Sequence, residues 1–73
     1  MKEKIIELME TILNVPKGTI TESTKMKDVE QWDSLAHVML IGELENQLGI
    51  VIPMDEIIEI DSVEKLMEKA GVL

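Results

Sequence analysis

The fifteen residues SLAHVMLIGELENQL run from Ser34 to Leu48 without a proline, between Asp33 and Gly49. An aspartate at the head of such a run caps the free N–H groups of a helix start, and a glycine just past its end accepts the left-handed backbone that closes one. The spacing predicts a helix over 34–48. At about 100° per residue, His37, Leu40, Ile41, Leu44 and Leu48 fall on one arc. Leu35, Val38, Met39 and Gly42 fall on an arc roughly opposite, with Glu45 and Asn46 at its lower end. An ordinary surface helix carries a single apolar stripe. A chain of 73 residues buries only about 60 % of its unfolded surface on folding. Packing partners on both sides of one helix are therefore scarce, so the first arc is expected to face the core and the second to face solvent as a docking surface. A central helix buried all round is the competing reading.

The remaining elements arrange themselves around this helix. Ile5, Leu8, Met9, Ile12 and Leu13 recur at helical spacing over residues 3–13, with Glu3, Glu7 and Glu10 expected among the exposed positions. Pro16 disfavours helical backbone at Val15, so this first helix should stop near Asn14. From Val15 to Trp32 turn formers mix with isolated apolar residues, Ile20, Met26, Val29 and Trp32, read as pegs that pin a long loop to the core. Ile50 to Ile52 has strand composition but no partner strand, and an unpaired strand leaves its backbone groups unsatisfied, so an extended connector is expected. Pro53 suits the first turn of a short third helix, Met54 to Glu59. Asp61 and Glu64 have capping-box spacing ahead of a fourth helix, Val63 to Ala70, which Gly71 ends. The expected architecture is all-α, a four-helix bundle in one domain, 1–73.

Composition narrows the function. Seven basic against fifteen acidic side chains leave a formal charge of −8, which repels phosphate backbones and argues against nucleic-acid binding. Glu7 and Glu10 interrupt the apolar N-terminal run, and no later run approaches the roughly 18 apolar residues of a membrane span, so a soluble, unprocessed cytoplasmic chain is expected. Without cysteine there is no disulfide and no thiolate metal site, and a single histidine leaves only carboxylates for a metal, so no metal site is assigned. The methionines Met9, Met39, Met54 and Met67 read mostly as core fillers, with Met39 on the exposed arc as the exception.

Ser34 is the candidate functional residue. A helix start presents free N–H groups and a partial positive charge, which suit a phosphate, and Asp33 supplies the cap. Ser34 and His37 are one turn apart, but a nucleophilic triad also needs an oriented base and an oxyanion hole, and His37 falls on the core arc as a buried or half-buried packing histidine. No catalytic residue is assigned.

At Asp33-Ser34-Leu35, followed by LxxxLxxxLGI spacing and the isoleucine-proline-acid step IPMDE, the chain resembles the acyl carrier proteins over nearly its whole length. The resemblance implies four helices of the acyl-carrier type, with a long loop between the first two and a short third helix. It implies that Ser34 receives 4'-phosphopantetheine from coenzyme A through a separate magnesium-dependent phosphopantetheinyl transferase. The arm's thiol then carries acyl or aminoacyl groups as thioesters, and the protein is a carrier, not an enzyme. By the same resemblance Leu35, Val38, Met39, Gly42 and Glu45, joined by Asp55 and Glu56, form the partner face, and Leu44, Ile52, Ile57, Ile60 and Leu66 border the acyl space. Partners implied are the transferase, an acyl- or aminoacyl-loading ligase, and condensing or acyltransferase enzymes, served by a monomer. Trp32 and Met39 stand where many fatty-acid carriers have glycine and glutamate, and the WDSLxH form is more similar to stand-alone carriers of specialised polyketide, peptide or surface-polymer pathways. The alternative function is an unmodified helical interaction module that docks through Leu35, Val38 and Met39.

Overall fold

The computed structural model describes residues 1–73 and contains four α-helices, α1 Lys2–Leu13, α2 Ser34–Leu48, α3 Met54–Ile57 and α4 Val63–Lys69. A short 3-10 turn, Met26–Asp28, interrupts the long loop between α1 and α2. No strand forms, and residues 50–52 are an extended connector.

Each long helix ends where a residue adopts left-handed backbone. Asn14 closes α1 at φ 56°, and its N–H and that of Val15 turn back to the carbonyls of Thr11 and Glu10. Gly49 closes α2 at φ 68° by donating to the Glu45 carbonyl. After α4 the N–H groups of Gly71 and Val72 reach the carbonyls of Glu68 and Met67, the paired reversal that satisfies the orphan acceptors of a last turn.

Beyond one-residue shifts at the start of α1 and at the end of α4, which stops at Lys69 with Ala70 as its cap, three boundaries differ from the sequence expectation. The fourth helix is capped by Ser62, whose Oγ accepts from the Lys65 N–H at 3.1 Å, in place of Asp61. Asp61 is drawn out of the cap because its carbonyl accepts from Met26 N–H at 2.8 Å while Val63 N–H donates to Thr24, an isolated antiparallel bridge that stitches the loop to the start of α4. The third helix stops at Ile57, two residues short of Glu59, because the Ile57 carbonyl is taken by the Ile60 N–H and by an imidazole from α2. Pro53 is the residue before α3, not in its first turn, and its carbonyl receives the N–H groups of Glu56 and Ile57.

Helices α1 and α2 pack on one another, and the core between them and α4 is closed by Ile5, Met9, Leu40, Leu44, Ile60, Val63, Leu66 and Met67. Of the loop pegs, Ile20, Val29 and Trp32 are buried, whereas Met26 is half-buried in the 3-10 turn. Met54 is not a core filler, being 85 % exposed at the head of a four-residue helix too short to turn it inward.

Glu10 was expected on the surface and is buried. Its Oε2 accepts from Gly18 N–H at 2.7 Å and Ile20 N–H at 3.1 Å, so the carboxylate serves as the anchor for the first turn of the long loop. Helical periodicity places a residue on a face but does not report that a distant loop will bring two N–H groups to it.

Candidate functional site

Asp33 has extended backbone, and its Oδ1 accepts from the Ala36 N–H at 2.9 Å while its carbonyl accepts from His37 N–H. The cap thus occupies the third and fourth donors of the helix start. The N–H groups of Ser34 and Leu35 have no acceptor within the chain. Ser34 itself is exposed in the first turn, with no hydrogen bond holding its hydroxyl. A hydroxyl reachable from solvent, beside two free N–H groups at the positive end of a fifteen-residue helix, is compatible with a phosphodiester on the serine oxygen.

The solvent-facing arc of α2 lies directly below. Leu35, Val38 and Met39 are 71 %, 64 % and 51 % exposed, and Gly42 and Glu45 continue the same exposed face. The opposite arc is buried at His37, Leu40, Ile41 and Leu44, and half-buried at Leu48. The structure thereby rejects a helix buried all round.

The two acids assigned to this face from α3 stand differently. Asp55 is exposed and unpaired, whereas Glu56, like Glu59, receives a hydrogen bond from the Lys69 ammonium of α4 at 3.2 Å. The carboxylate of Glu56, then that of Glu59, raises the pKa of Lys69 above its ordinary 10.5.

Leu44, Ile52, Ile60 and Leu66 are all buried and Ile57 half-buried. They are filled in against the core, and the main surface clefts lie elsewhere, the largest, of about 600 Å³, between Lys25, Met26, Lys27, Trp32, Asp61 and Ser62.

His37 does more than pack. Trp32 Nε1 donates to its Nδ1 at 2.9 Å, and its Nε2 lies 2.9 Å from the Ile57 carbonyl. An indole N–H can only donate and a carbonyl can only accept, so Nδ1 is the acceptor and Nε2 carries the proton. The ring is therefore the neutral Nε2–H tautomer, with both nitrogens satisfied by two different elements. Sequence reasoning placed His37 and Trp32 in the core but missed that they are partners; the five-residue spacing across a helix start was the available signal.

The chain matches the family model described as "Phosphopantetheine attachment site" over residues 3–69. It is also 32 % identical over 68 residues to an acyl carrier protein of Chlorobium phaeobacteroides, an alignment covering 93 % of this chain and 87 % of the relative. The chain belongs to the acyl carrier protein family. A second relative, the acyl carrier protein of Chlorobium phaeovibrioides, is 31 % identical with the same coverage. No solved structure matches the chain significantly. As an acyl carrier protein it is a carrier, not an enzyme, and its prosthetic group is covalent 4'-phosphopantetheine. Membership implies a phosphopantetheinyl transferase and biosynthetic enzymes as partners. No helix is long and apolar enough to cross a membrane.

Proposed function

We propose that Ser34 is the attachment residue and that this carrier presents acyl or aminoacyl thioesters to enzymes of a specialised polyketide, peptide or surface-polymer pathway, or of a lipid pathway, in the cytoplasm. The observation that carries the reading is the exposed Ser34 hydroxyl at the capped start of α2, beside the free N–H groups of Ser34 and Leu35. In the loading reaction Ser34 Oγ attacks the phosphorus of coenzyme A that bears pantetheine, the pyrophosphate P–O bond breaks, adenosine 3',5'-bisphosphate leaves, and the hydroxyl proton passes to a base of the transferase. The bound group supplies a terminal thiol that this cysteine-free chain lacks. Asp33 holds the helix start by its cap and leaves the first two N–H groups without an acceptor in the chain, where they would hold the phosphate.

Leu35, Val38, Met39 and Gly42, with Glu45, Asp55 and Glu56, form the face that the transferase, a loading ligase and a condensing or acyltransferase enzyme engage. The apolar centre supplies contact energy, and acids on its rim draw basic partner surfaces and speed encounter. Leu44, Ile52, Ile57, Ile60 and Leu66 border the space into which an acyl chain enters, which requires these packed side chains to part. Support for the specialised pathway is the WDSLxH form over residues 32–37, together with Met39 two residues beyond it.

Intact mass spectrometry after incubation with coenzyme A, magnesium and a broad-specificity transferase tests the attachment. The wild-type chain is expected to gain one phosphopantetheine and the Ser34→Ala variant none. A gain that persists in Ser34→Ala places the arm elsewhere.

A further inference from the structure

Of the four α-helices, α3 alone contributes no buried residue to the core. Polar ties hold it from two sides. From α4 the Lys69 ammonium reaches Glu56 within α3 and Glu59 two residues past its end, each at 3.2 Å. From α2 the His37 imidazole donates to the Ile57 carbonyl at 2.9 Å. The second tie differs from the first in what lies behind it. The same imidazole accepts from the indole of Trp32, two residues ahead of Ser34.

We propose that His37 is a positioning residue that couples α3 to the Trp32-Asp33-Ser34 step, so that a displacement of α3 is transmitted through the imidazole to the segment carrying the serine.

The rigid ring is the reason. Its two nitrogens sit on one plane at a fixed separation, so a ring that turns to follow the Ile57 carbonyl turns Nδ1 away from the indole N–H. Trp32 is only 2 % exposed, which leaves its donor no ready solvent substitute. An indole that must keep its acceptor moves with the ring, and Ser34 is joined to Trp32 through two planar peptide units. Ile57 also belongs to the set proposed to border the acyl space, so cargo entering there would press on α3 and be registered at the arm's attachment point. That consequence rests on the proposed role of Ser34. The coupling itself does not.

The test therefore uses the full chain before any modification, labelled with ¹⁵N and observed by NMR. Lys69→Met releases α3 from the α4 side while keeping the apolar stem. It is expected to speed amide exchange at Ile60, whose N–H donates to Ile57, by about tenfold. It is also expected to shift the Trp32 indole resonance and the backbone amides of Ser34 and Leu35. In a His37→Leu or Trp32→Phe background, the same Lys69→Met change is expected to leave the Ser34 and Leu35 amides where they were. Trp32→Phe retains an aromatic ring in the core, so it carries the comparison if His37→Leu does not fold. Unmoved Ser34 and Leu35 amides in Lys69→Met alone, or equal movement in the Trp32→Phe background, overturn the coupling. A failed phosphopantetheine mass gain would remove the role of Ser34 and leave this result standing.

Discussion

Trp32 and His37 are joined by a 2.9 Å hydrogen bond from indole Nε1 to imidazole Nδ1, with ring centroids 5.9 Å apart and planes tilted by 38°. The only Phe, Tyr or Trp of the chain is thus tied to its only histidine, and the pair brackets the proposed attachment serine, Trp32 two residues before Ser34 and His37 three after it. Removing either partner leaves a buried polar atom without its mate.

His37→Leu strands the Trp32 donor and leaves the Ile57 carbonyl with its bond from the Ile60 N–H alone. Leaving that one buried donor unsatisfied costs about 1–3 kcal/mol, and a destabilisation of about 2 kcal/mol is expected. Urea unfolding followed by Trp32 fluorescence measures it as a lowered midpoint with an unchanged slope.

Glu10 accepts two backbone N–H bonds through one oxygen. Glu10→Ala removes two charge-assisted bonds, each contributing about 1.5–3 kcal/mol net, and a loss of about 3 kcal/mol is expected. Glu10→Gln keeps one acceptor oxygen and is expected to lose about half as much. Amide exchange at Gly18 and Ile20 should rise in the alanine variant before any change reaches Ala36.

Lys69 binds its proton more tightly in the folded chain than when unfolded, through Glu56 first and Glu59 second. A raised folded pKa contributes stability that is complete below the unfolded value and disappears as pH climbs through the folded one. The tie of α3 to α4 is therefore expected to hold throughout the neutral range and to weaken only in alkali, above the ordinary 10.5. Urea midpoints taken across that alkaline range should fall for the wild type and show a smaller fall in Lys69→Met.

Met39 is 51 % exposed on the outer arc of α2. Met39→Glu is expected to change folding stability by no more than about 0.5 kcal/mol. Its effect should appear in partner work instead, as a raised KM of the phosphopantetheinyl transferase for the carrier at unchanged thermal midpoint. Marked unfolding of this variant would reassign the arc to the core.

Gly42 lies within α2 with nothing within 4 Å of the position a Cβ would take. Gly42→Ala is expected to stabilise the helix by up to about 1 kcal/mol, since alanine loses less backbone entropy than glycine. A thermal midpoint that rises while transferase KM also rises would mark this open spot as part of the contact surface.

What local chemistry controls was legible before any coordinates. The Asp33 cap, the Gly49 close and the proline-limited end at Asn14 depend on backbone preferences within a few residues, and all three appear where the residue types call for them. The two arcs of α2 were likewise readable, because helical geometry turns spacing directly into direction. The exposure of Ser34 follows from its place in the first turn of that helix.

Elsewhere the outcome depended on which distant groups met. Ser62 displaced Asp61 as the cap of α4 because the loop near Met26 claimed the Asp61 carbonyl. Glu10 went inside because the amides of Gly18 and Ile20 arrived to hold it, and His37 gained its tautomer from Trp32 on one side and Ile57 on the other. The sequence by itself determined the four helices, the ends of α1 and the two faces and both ends of α2. The tertiary structure alone decided the polar partnerships between them, because a buried donor or acceptor is paired with whatever the packed chain brings within reach, and that distance is not a property of any local stretch.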